Sequence, residues 1–123
     1  MLAYVDSSVL LVDILEQRPV LPDLVDRADV ATSQITSLEI SRTLRRELEG
    51  ADLASVSRHT LAGVDLVSIS PAVLETAASL PVRFLRALDS IHLASAVLVE
   101  ADVVLTNDRQ MQRACEELGL MVG

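Results

Sequence analysis

The stretch Leu2-Ala-Tyr-Val-Asp6-Ser-Ser-Val-Leu10 decides the fold of this chain. Its first four residues are hydrophobic and predict a short buried strand, after which Ser7 or Ser8 is expected to cap a helix. Asp6 therefore stands at the carboxyl end of the strand. In open α/β sheets ligands bind at that edge, because strand ends and helix N-termini converge there. The stretch thus predicts an α/β fold that presents one carboxylate at a functional edge.

Three further acids occur in comparable contexts. Glu39 lies in Thr36-Ser-Leu-Glu-Ile-Ser-Arg42, Asp89 in Arg86-Ala-Leu-Asp-Ser-Ile-His92, and Asp108 in Leu105-Thr-Asn-Asp-Arg109. We expect the fold to gather these three carboxylates and Asp6 around a hard metal ion. Ligand sets made only of carboxylate oxygens suit Mg²⁺ or Mn²⁺ rather than zinc. Such clusters typically hydrolyse phosphodiesters, because the metal lowers the pKa of a bound water and clamps the phosphate.

Each of these acids also has a purely structural interpretation. Asp6, Asp89 and Asp108 lie near predicted helix starts, where aspartate caps the helix and complements its dipole. Glu39 could pair with Arg42 and Arg46 along one helix face.

Two contexts favour function over structure. Ser7 and Ser8 could cap the first helix, which would leave Asp6 free for another role. Asp89 has the apolar neighbours Leu88 and Ile91, which predict a half-buried carboxylate that needs a cation or hydrogen bonds to stay ionised.

Strands are predicted at 2–5, 30–35, 64–69 and 103–105, and the last three residues could add a short edge strand. Helices are expected to alternate with them, starting near the following residues: Ser7, Leu21, Thr36 or Ser37, Asp52, Pro71, Ser90 and Asp108. Ile40, Leu44 and Leu48 form the expected buried stripe of the third helix, and Pro19, Gly50, Gly63 and Gly119 are expected to end helices. This alternation predicts a mainly parallel sheet covered by helices on both faces.

The composition limits the classes of protein that the chain can be. Its 123 residues, half of them hydrophobic, suit one domain over 1–123. The net charge of −8 argues against loose, charge-driven nucleic-acid binding, but a metal-binding acidic pocket would contribute to that total. With no membrane-spanning apolar run, no positively charged leader and the single Cys115, we expect a cytoplasmic protein without membrane attachment.

Basic side chains are the other candidate functional groups. All ten are arginines, and Arg86 and Arg109 directly flank the acidic motifs. They could contact substrate phosphates or form ordinary surface ion pairs, and the sequence does not choose between these roles. His92, one helical turn after Asp89, could be a further ligand, but a histidine with its hydrogen bonds satisfied at the core edge is the favoured interpretation.

These motifs together resemble the PIN domain, and within it the VapC ribonuclease toxins of bacterial VapBC toxin–antitoxin modules. The resemblance rests on Val5-Asp6-Ser-Ser, Ser37-Leu-Glu39, Asp89-Ser-Ile-His-Leu-Ala-Ser-Ala and Leu105-Thr-Asn-Asp108, and it extends over essentially the whole chain. It implies a three-layer α/β/α sandwich, a Mg²⁺- or Mn²⁺-dependent endoribonuclease acting on RNA, a homodimer and inhibition by a VapB antitoxin. It assigns Asp6, Glu39 and Asp89 to the core acids and Asp108 to a more variable fourth one. Ser8 and Thr106 match residues that support the site in the family.

Other protein classes fit the sequence less well. A phosphoacceptor receiver domain needs a lysine, and the chain has none. A haloacid-dehalogenase-type phosphatase needs an aspartate where Ser8 stands, and no Gly-rich phosphate loop with lysine is present. The remaining alternative is a PIN-like module that has lost activity and acts by binding protein partners.

Overall fold

The computed structural model of the chain describes residues 1–16, 20–49 and 52–123. Across these ranges, four strands form one parallel sheet in the order β3-β2-β1-β4. The strands are β1 (Leu2–Val5), β2 (Asp29–Ser33), β3 (Asp65–Val67) and β4 (Val103–Leu105). The helices are α1 (Ser7–Leu15), α2 (Leu21–Arg27), α3 (Ile35–Glu47), α4 (Leu53–Thr60), α5 (Pro71–Ser79), α6 (Ala87–Leu98) and α7 (Arg109–Glu117).

The sheet separates two hydrophobic cores, because neighbouring residues of a strand point to opposite faces. Tyr4 packs with Leu93 of α6 and Met111 of α7 on one face. Val5 packs with Leu10 of α1 and Ile40 of α3 on the other. The predicted three-layer α/β/α architecture and the parallel sheet are therefore confirmed.

Strand β1 is central and positions the rest of the sheet. Ala3 lies opposite Val30 of β2 and Val103 of β4, so the first and fourth strands are direct neighbours. The predicted carboxyl-terminal edge strand is reduced to a single parallel bridge between Val122 and Val104. Because all the strands run the same way, β1 and β4 end at the same edge.

Helix α6 packs closely on the sheet, as its small residues predict. Ala94, Ser95 and Ala96 are all buried, which lets the helix backbone approach the strands. The chain leaves α6 through a turn in which Glu100 adopts a left-handed conformation with φ 55°. Gly119, at φ 74°, follows α7 and ends that helix as predicted.

Two predicted N-cap residues, those of α1 and α3, and one predicted helix start, that of α6, are wrong. Helix α1 is capped by Asp6 rather than by Ser7 or Ser8, since the Asp6 side chain accepts from the Ser8 N–H. Helix α3 begins at Ile35, so that Thr36 lies inside it, buried and hydrogen-bonded to Thr32. Helix α6 begins at Ala87, three residues before the predicted start, because Arg86 precedes it without any side-chain cap bond to mark the position.

The predicted buried stripe of α3 is one residue too long. Ile40 and Leu44 are fully buried, but the helix ends at Glu47 and Leu48 is 39% exposed. The predicted helix stops at Pro19 and Gly50 lie outside the described residues. Among the helices that the structure describes, none is long and apolar enough to cross a membrane.

Candidate active site

The ends of β1 and β4 bring two motifs together at the carboxyl edge of the sheet. The Asp6 N–H donates to the carbonyl of Leu105, at 3.2 Å, and extends the pairing of the strands by one bond. Thr106, the next residue, is buried beside Asp6. Residues a hundred positions apart in sequence thus share one corner.

The Asp6 carboxylate is held by hydrogen bonds to both of its oxygens. Oδ1 accepts from the Ser8 N–H at 3.1 Å and from the Ser8 hydroxyl at 2.5 Å, and Oδ2 accepts from the Thr106 hydroxyl. Ser8 Oγ also accepts from the N–H of Asn107, at 2.9 Å. Asp6 is only 5% exposed, so its orientation is fixed by α1 and by the β4 end together.

Asp108 is both an N-cap and a neighbour of this corner. Its Oδ1 accepts from the N–H groups of Gln110 and Met111, at 2.8 and 3.3 Å, which caps α7. Its own N–H donates to Thr106 Oγ1 at 3.0 Å, so Thr106 bridges the backbone of Asp108 and the carboxylate of Asp6. The capping interpretation is correct for Asp6 and Asp108, and it coexists with their clustering.

Asp89 lies in the first turn of α6, half-buried as predicted. Burial raises the pKa of its carboxyl above the ordinary range, and repulsion from Asp108 is the next largest cause. Smaller repulsions from Asp6 and Glu39 raise the pKa further, while His92 opposes them. Its neighbour Leu88 is 47% exposed, so the expected burial by that side chain is wrong.

The charges that act on Asp89 indicate which acids lie near it. Asp89 feels the charge of each of the other three, although they belong to different elements. Like charges that crowd in this way occur at functional sites more often than elsewhere. Asp6 and Asp108 thus meet at Thr106, and Asp89 lies within electrostatic range of the other three acids; a common metal site for the four stays a prediction.

Glu39 has a different partner from the one expected. Its Oε1 lies 2.6 Å from Nε2 of His92, and no ion pair joins it to Arg42 or Arg46, both of which the structure describes. The other ring nitrogen of His92, Nδ1, lies 2.7 Å from the hydroxyl of Tyr4. His92 is 2% exposed and has both nitrogens paired, so the interpretation as a satisfied histidine at the core edge is confirmed.

Tyr4 is the site neighbour that sequence reasoning missed. The chain has one tyrosine and one phenylalanine, and this tyrosine stands in the strand that precedes Asp6. A buried tyrosine hydroxyl usually finds a hydrogen-bond partner. That rule could have identified Tyr4 as a residue that reaches toward another polar group.

The carboxylates of the candidate site fit a hard divalent cation that takes only one or two ligands from the protein. No group of three or more His, Cys, Asp or Glu side chains within residues 1–16, 20–49 and 52–123 is arranged to hold a metal ion. Mg²⁺, however, is usually bound by one or two carboxylates with several waters and substrate phosphates. The Asp89 carboxyl, whose pKa is raised by burial and then by the nearby acids, matches that chemistry, because a cation would stabilise its ionised form.

Of the flanking arginines, Arg113 stacks on an aromatic ring. Its guanidinium lies 4.6 Å from the ring centroid of Phe84, a cation–π contact. Arg86 and Arg109 are exposed residues at the starts of α6 and α7, and in sequence they flank the motifs of Asp89 and Asp108. A phosphate-binding role for these two residues stays a prediction.

A family model described as PIN domain matches residues 3–117 of this chain. No curated protein matches the chain in sequence.

Among solved structures, VapBC2 from Rickettsia felis bound to a DNA fragment from its promoter is similar over 100% of this chain and 98% of that one, with TM-score 0.80 and 14% identity. VapBC-1 from nontypeable Haemophilus influenzae is similar over 100% and 97%, with TM-score 0.77 and 11% identity. A toxin–antitoxin complex from Klebsiella pneumoniae is similar over 86% of each chain, with TM-score 0.64 and 22% identity. At these identities the likeness shows a common fold.

Proposed function

The chain belongs to the PIN domain family, and from this premise we propose that it is a VapC-type toxin, a metal-dependent endoribonuclease that hydrolyses RNA phosphodiester bonds. The observation that carries the proposal is the corner at the carboxyl edge of the sheet where Thr106 bonds both the Asp6 carboxylate and the Asp108 backbone, with Asp89 near enough to feel the charges of Asp6, Asp108 and Glu39. An ordinary capping role does not require acids from different elements to lie near one another.

The chain's own residues divide the work of such a site. Asp6 is a fixed anionic centre, since Ser8 and Thr106 hold both of its oxygens. Asp108 has one oxygen engaged in capping α7, and Glu39 has one oxygen engaged by His92. Asp89 is the acid that the crowding of charges disfavours most clearly, so a cation in the cluster would relieve its repulsion.

Mg²⁺ is the cofactor that this donor set favours, with Mn²⁺ able to substitute. Asp6, Glu39 and Asp89 are the proposed principal ligands. Asp108, which corresponds to the more variable acid of the family, is the proposed fourth ligand. When bound, such a cation supplies positive charge to the scissile phosphate and lowers the pKa of an attacking water.

The proposed substrate is RNA that reaches the site along arginine side chains. The chain is acidic overall, so unspecific attraction to a polyanion is weak and local contacts must bring the backbone to the pocket. Arg86 and Arg109 stand next to the acidic cluster and are the proposed phosphate contacts.

The proposed protein partner is a VapB-type antitoxin. A groove of about 790 Å³ lies between α1, α2 and α4 and includes the apolar side chains of Ile14, Leu21 and Val56. An antitoxin helix could lay its apolar face there, and an arginine from the antitoxin could pair with Asp6, Glu39 or Asp89 and compete with the metal.

We also propose a homodimer. Three elements carry an exposed leucine: Leu38 of α3, Leu66 of β3 and Leu74 of α5. A second copy would cover such apolar surface, which monomeric proteins rarely expose in large patches. A monomeric mass in sedimentation at micromolar concentration would contradict this part of the proposal.

Cleavage of RNA by the purified chain tests the activity. The wild type should cleave in Mg²⁺ and lose cleavage in EDTA, and Asp6→Asn should lose activity by about three orders of magnitude or more. Asparagine is as good an N-cap as aspartate, so the variant should keep its fold. Asp102→Asn, at the opposite end of the sheet, is the matched control and should cleave like the wild type.

An inactive binding module is the alternative, and one observation favours it. The described side chains include no ready-made three-ligand metal group. A wild-type protein that binds the antitoxin but neither cleaves RNA nor responds to Mg²⁺ would establish that alternative.

A further inference from the structure

A buried series of two hydrogen bonds links the sheet to one of the acids. It runs from the hydroxyl of Tyr4 to Nδ1 of His92, at 2.7 Å, and from Nε2 of His92 to Oε1 of Glu39, at 2.6 Å. Tyr4 is fully buried and His92 is 2% exposed, whereas 24% of the Glu39 side chain is exposed. This series of hydrogen bonds therefore begins inside the core and ends at the edge of the candidate site.

The chemistry of the three groups fixes the direction of the hydrogen bonds. A carboxylate can only accept, so Nε2 of His92 carries the hydrogen that reaches Glu39. In the neutral ring Nδ1 is then an acceptor, and the Tyr4 hydroxyl donates to it. Burial raises the pKa of Tyr4, which keeps its hydroxyl protonated and available as that donor.

The His92–Glu39 hydrogen bond also joins two separate parts of the fold. Glu39 lies on α3, and His92 lies on α6, 53 residues later in the sequence. Glutamate has three side-chain torsions, so its carboxylate has several orientations unless something holds it. The imidazole itself cannot turn freely, because its edge-to-face packing on Tyr4, at 70° and 6.0 Å between centroids, fixes the ring.

We propose that His92 is a positioning residue for Glu39, which it holds by one oxygen and leaves with the other available to a divalent cation, and that Tyr4 fixes the histidine in the donating tautomer. This inference rests on the proposed function, because it concerns how one proposed ligand is presented. Partners of this kind, behind a metal ligand, typically change metal affinity about 10- to 100-fold when they are removed.

Three variants separate positioning from simple packing. His92→Leu fills similar space and removes both hydrogen bonds. His92→Gln keeps an amide N–H that can reach Glu39, in place of Nε2. Tyr4→Phe keeps the ring and removes only the hydroxyl, so it provides a well-folded variant if His92→Leu is too unstable to purify.

The measurement is the dissociation constant for Mn²⁺ by calorimetry, with thermal melts in EDTA to record stability separately. We expect His92→Leu to bind Mn²⁺ about 10- to 100-fold more weakly than the wild type, and His92→Gln to recover most of the loss. Tyr4→Phe should weaken binding about three- to tenfold, as the loss of one hydrogen bond predicts. In ¹⁵N spectra of the wild type, Nδ1 of His92 should be unprotonated and Nε2 protonated.

The outcomes distinguish this inference from the function beneath it. A lower melting temperature with an unchanged Mn²⁺ dissociation constant in His92→Leu or Tyr4→Phe would overturn the positioning role and leave the proposed function intact. A wild-type protein that binds no Mn²⁺ would overturn both. Weaker binding in His92→Leu with recovery in His92→Gln would support the positioning role, because a packing defect is not repaired by a polar amide.

Discussion

The two ends of the sheet use aspartate in different ways. At the amino end, Asp102 precedes β4 and its exposed carboxylate accepts from the Leu2 N–H at 2.7 Å. At the carboxyl end, Asp6 also accepts from a backbone N–H, that of Ser8, but it is buried and bound by two hydroxyls as well. A bond to backbone is therefore common to both ends and does not mark a site.

Crowding is what separates the two ends. Burial, and next the negative charge of Asp108, raise the pKa of the Asp89 carboxyl, with smaller repulsions from Asp6 and Glu39. Folding must overcome that repulsion, and a protein tolerates such a cost where a ligand or a reaction makes use of it. We therefore propose that the carboxyl end is the functional end and that the amino end is structural.

Among changes to residues that support the two ends without being proposed metal ligands, the largest effect is expected at the carboxyl end. Thr106→Val keeps the shape of the side chain but removes the hydroxyl that donates to Asp6 and accepts from the Asp108 N–H. We predict a fall in RNA cleavage of about 10- to 100-fold. Thr60→Val is the matched control, since the Thr60 hydroxyl bonds the carbonyl of Val56 far from these acids, and it should leave cleavage unchanged. Equal losses in the two variants would show that the Thr106 hydroxyl has only a structural role.

A smaller effect is expected on stability without metal. Because the Asp89 pKa is raised in the folded state, ionisation of this carboxyl destabilises the fold. Asp89→Asn removes the charge at little change in shape, so it should raise the melting temperature in EDTA at pH 7 by about 2–5 °C, the partial exposure keeping the gain modest.

The pH dependence of that gain follows from the sign of the shift. Above the folded-state pKa the wild type carries the repulsion, and below the ordinary pKa of 3.8 the carboxyl is protonated in both states. The advantage of Asp89→Asn should therefore disappear as the pH falls below about 4. Mg²⁺ should stabilise the wild type more than the variant. A variant that melts below the wild type at pH 7, with an equal response to Mg²⁺, would mean that Asp89 only supports the start of α6.

The smallest effect is expected at the amino end. Glu100, in the turn between α6 and β4, has φ 55°, a conformation that costs a residue with a Cβ about 1 kcal/mol. Glu100→Gly should raise the free energy of unfolding by up to about 1 kcal/mol in urea titrations, with unchanged cleavage. Altered cleavage in this variant would break the division between a structural and a functional end.

The sequence predicts the strands well because their signals are local. Four short hydrophobic segments separated by helix signals suffice to place β1 to β4 within a few residues. The parallel direction follows from the intervening helices. Strand order does not follow, since nothing local to β1 specifies that β2 and β4 lie on either side of it.

The errors arise where local signals are ambiguous or absent. Asp6, Ser7 and Ser8 are all good N-caps, so the sequence cannot show which one begins α1. Arg86 is a poor cap, and the start of α6 was therefore placed too late. The partner of Glu39 lies 53 residues away on another helix. Arg42 and Arg46 lie within two turns of Glu39 on the same helix, so the local pattern predicts them as partners instead. Side-chain pairing across the fold has no signature in a single sequence.

Metal binding tests the central claim most directly. Mn²⁺ is titrated into the wild type, Asp6→Asn and Asp102→Asn in a calorimeter at fixed pH and ionic strength. This experiment compares the two ends of the sheet directly. We expect saturable binding to the wild type and to Asp102→Asn with equal affinity, and binding at least about tenfold weaker in Asp6→Asn. Equal affinities in all three proteins, or no binding by the wild type, would contradict it.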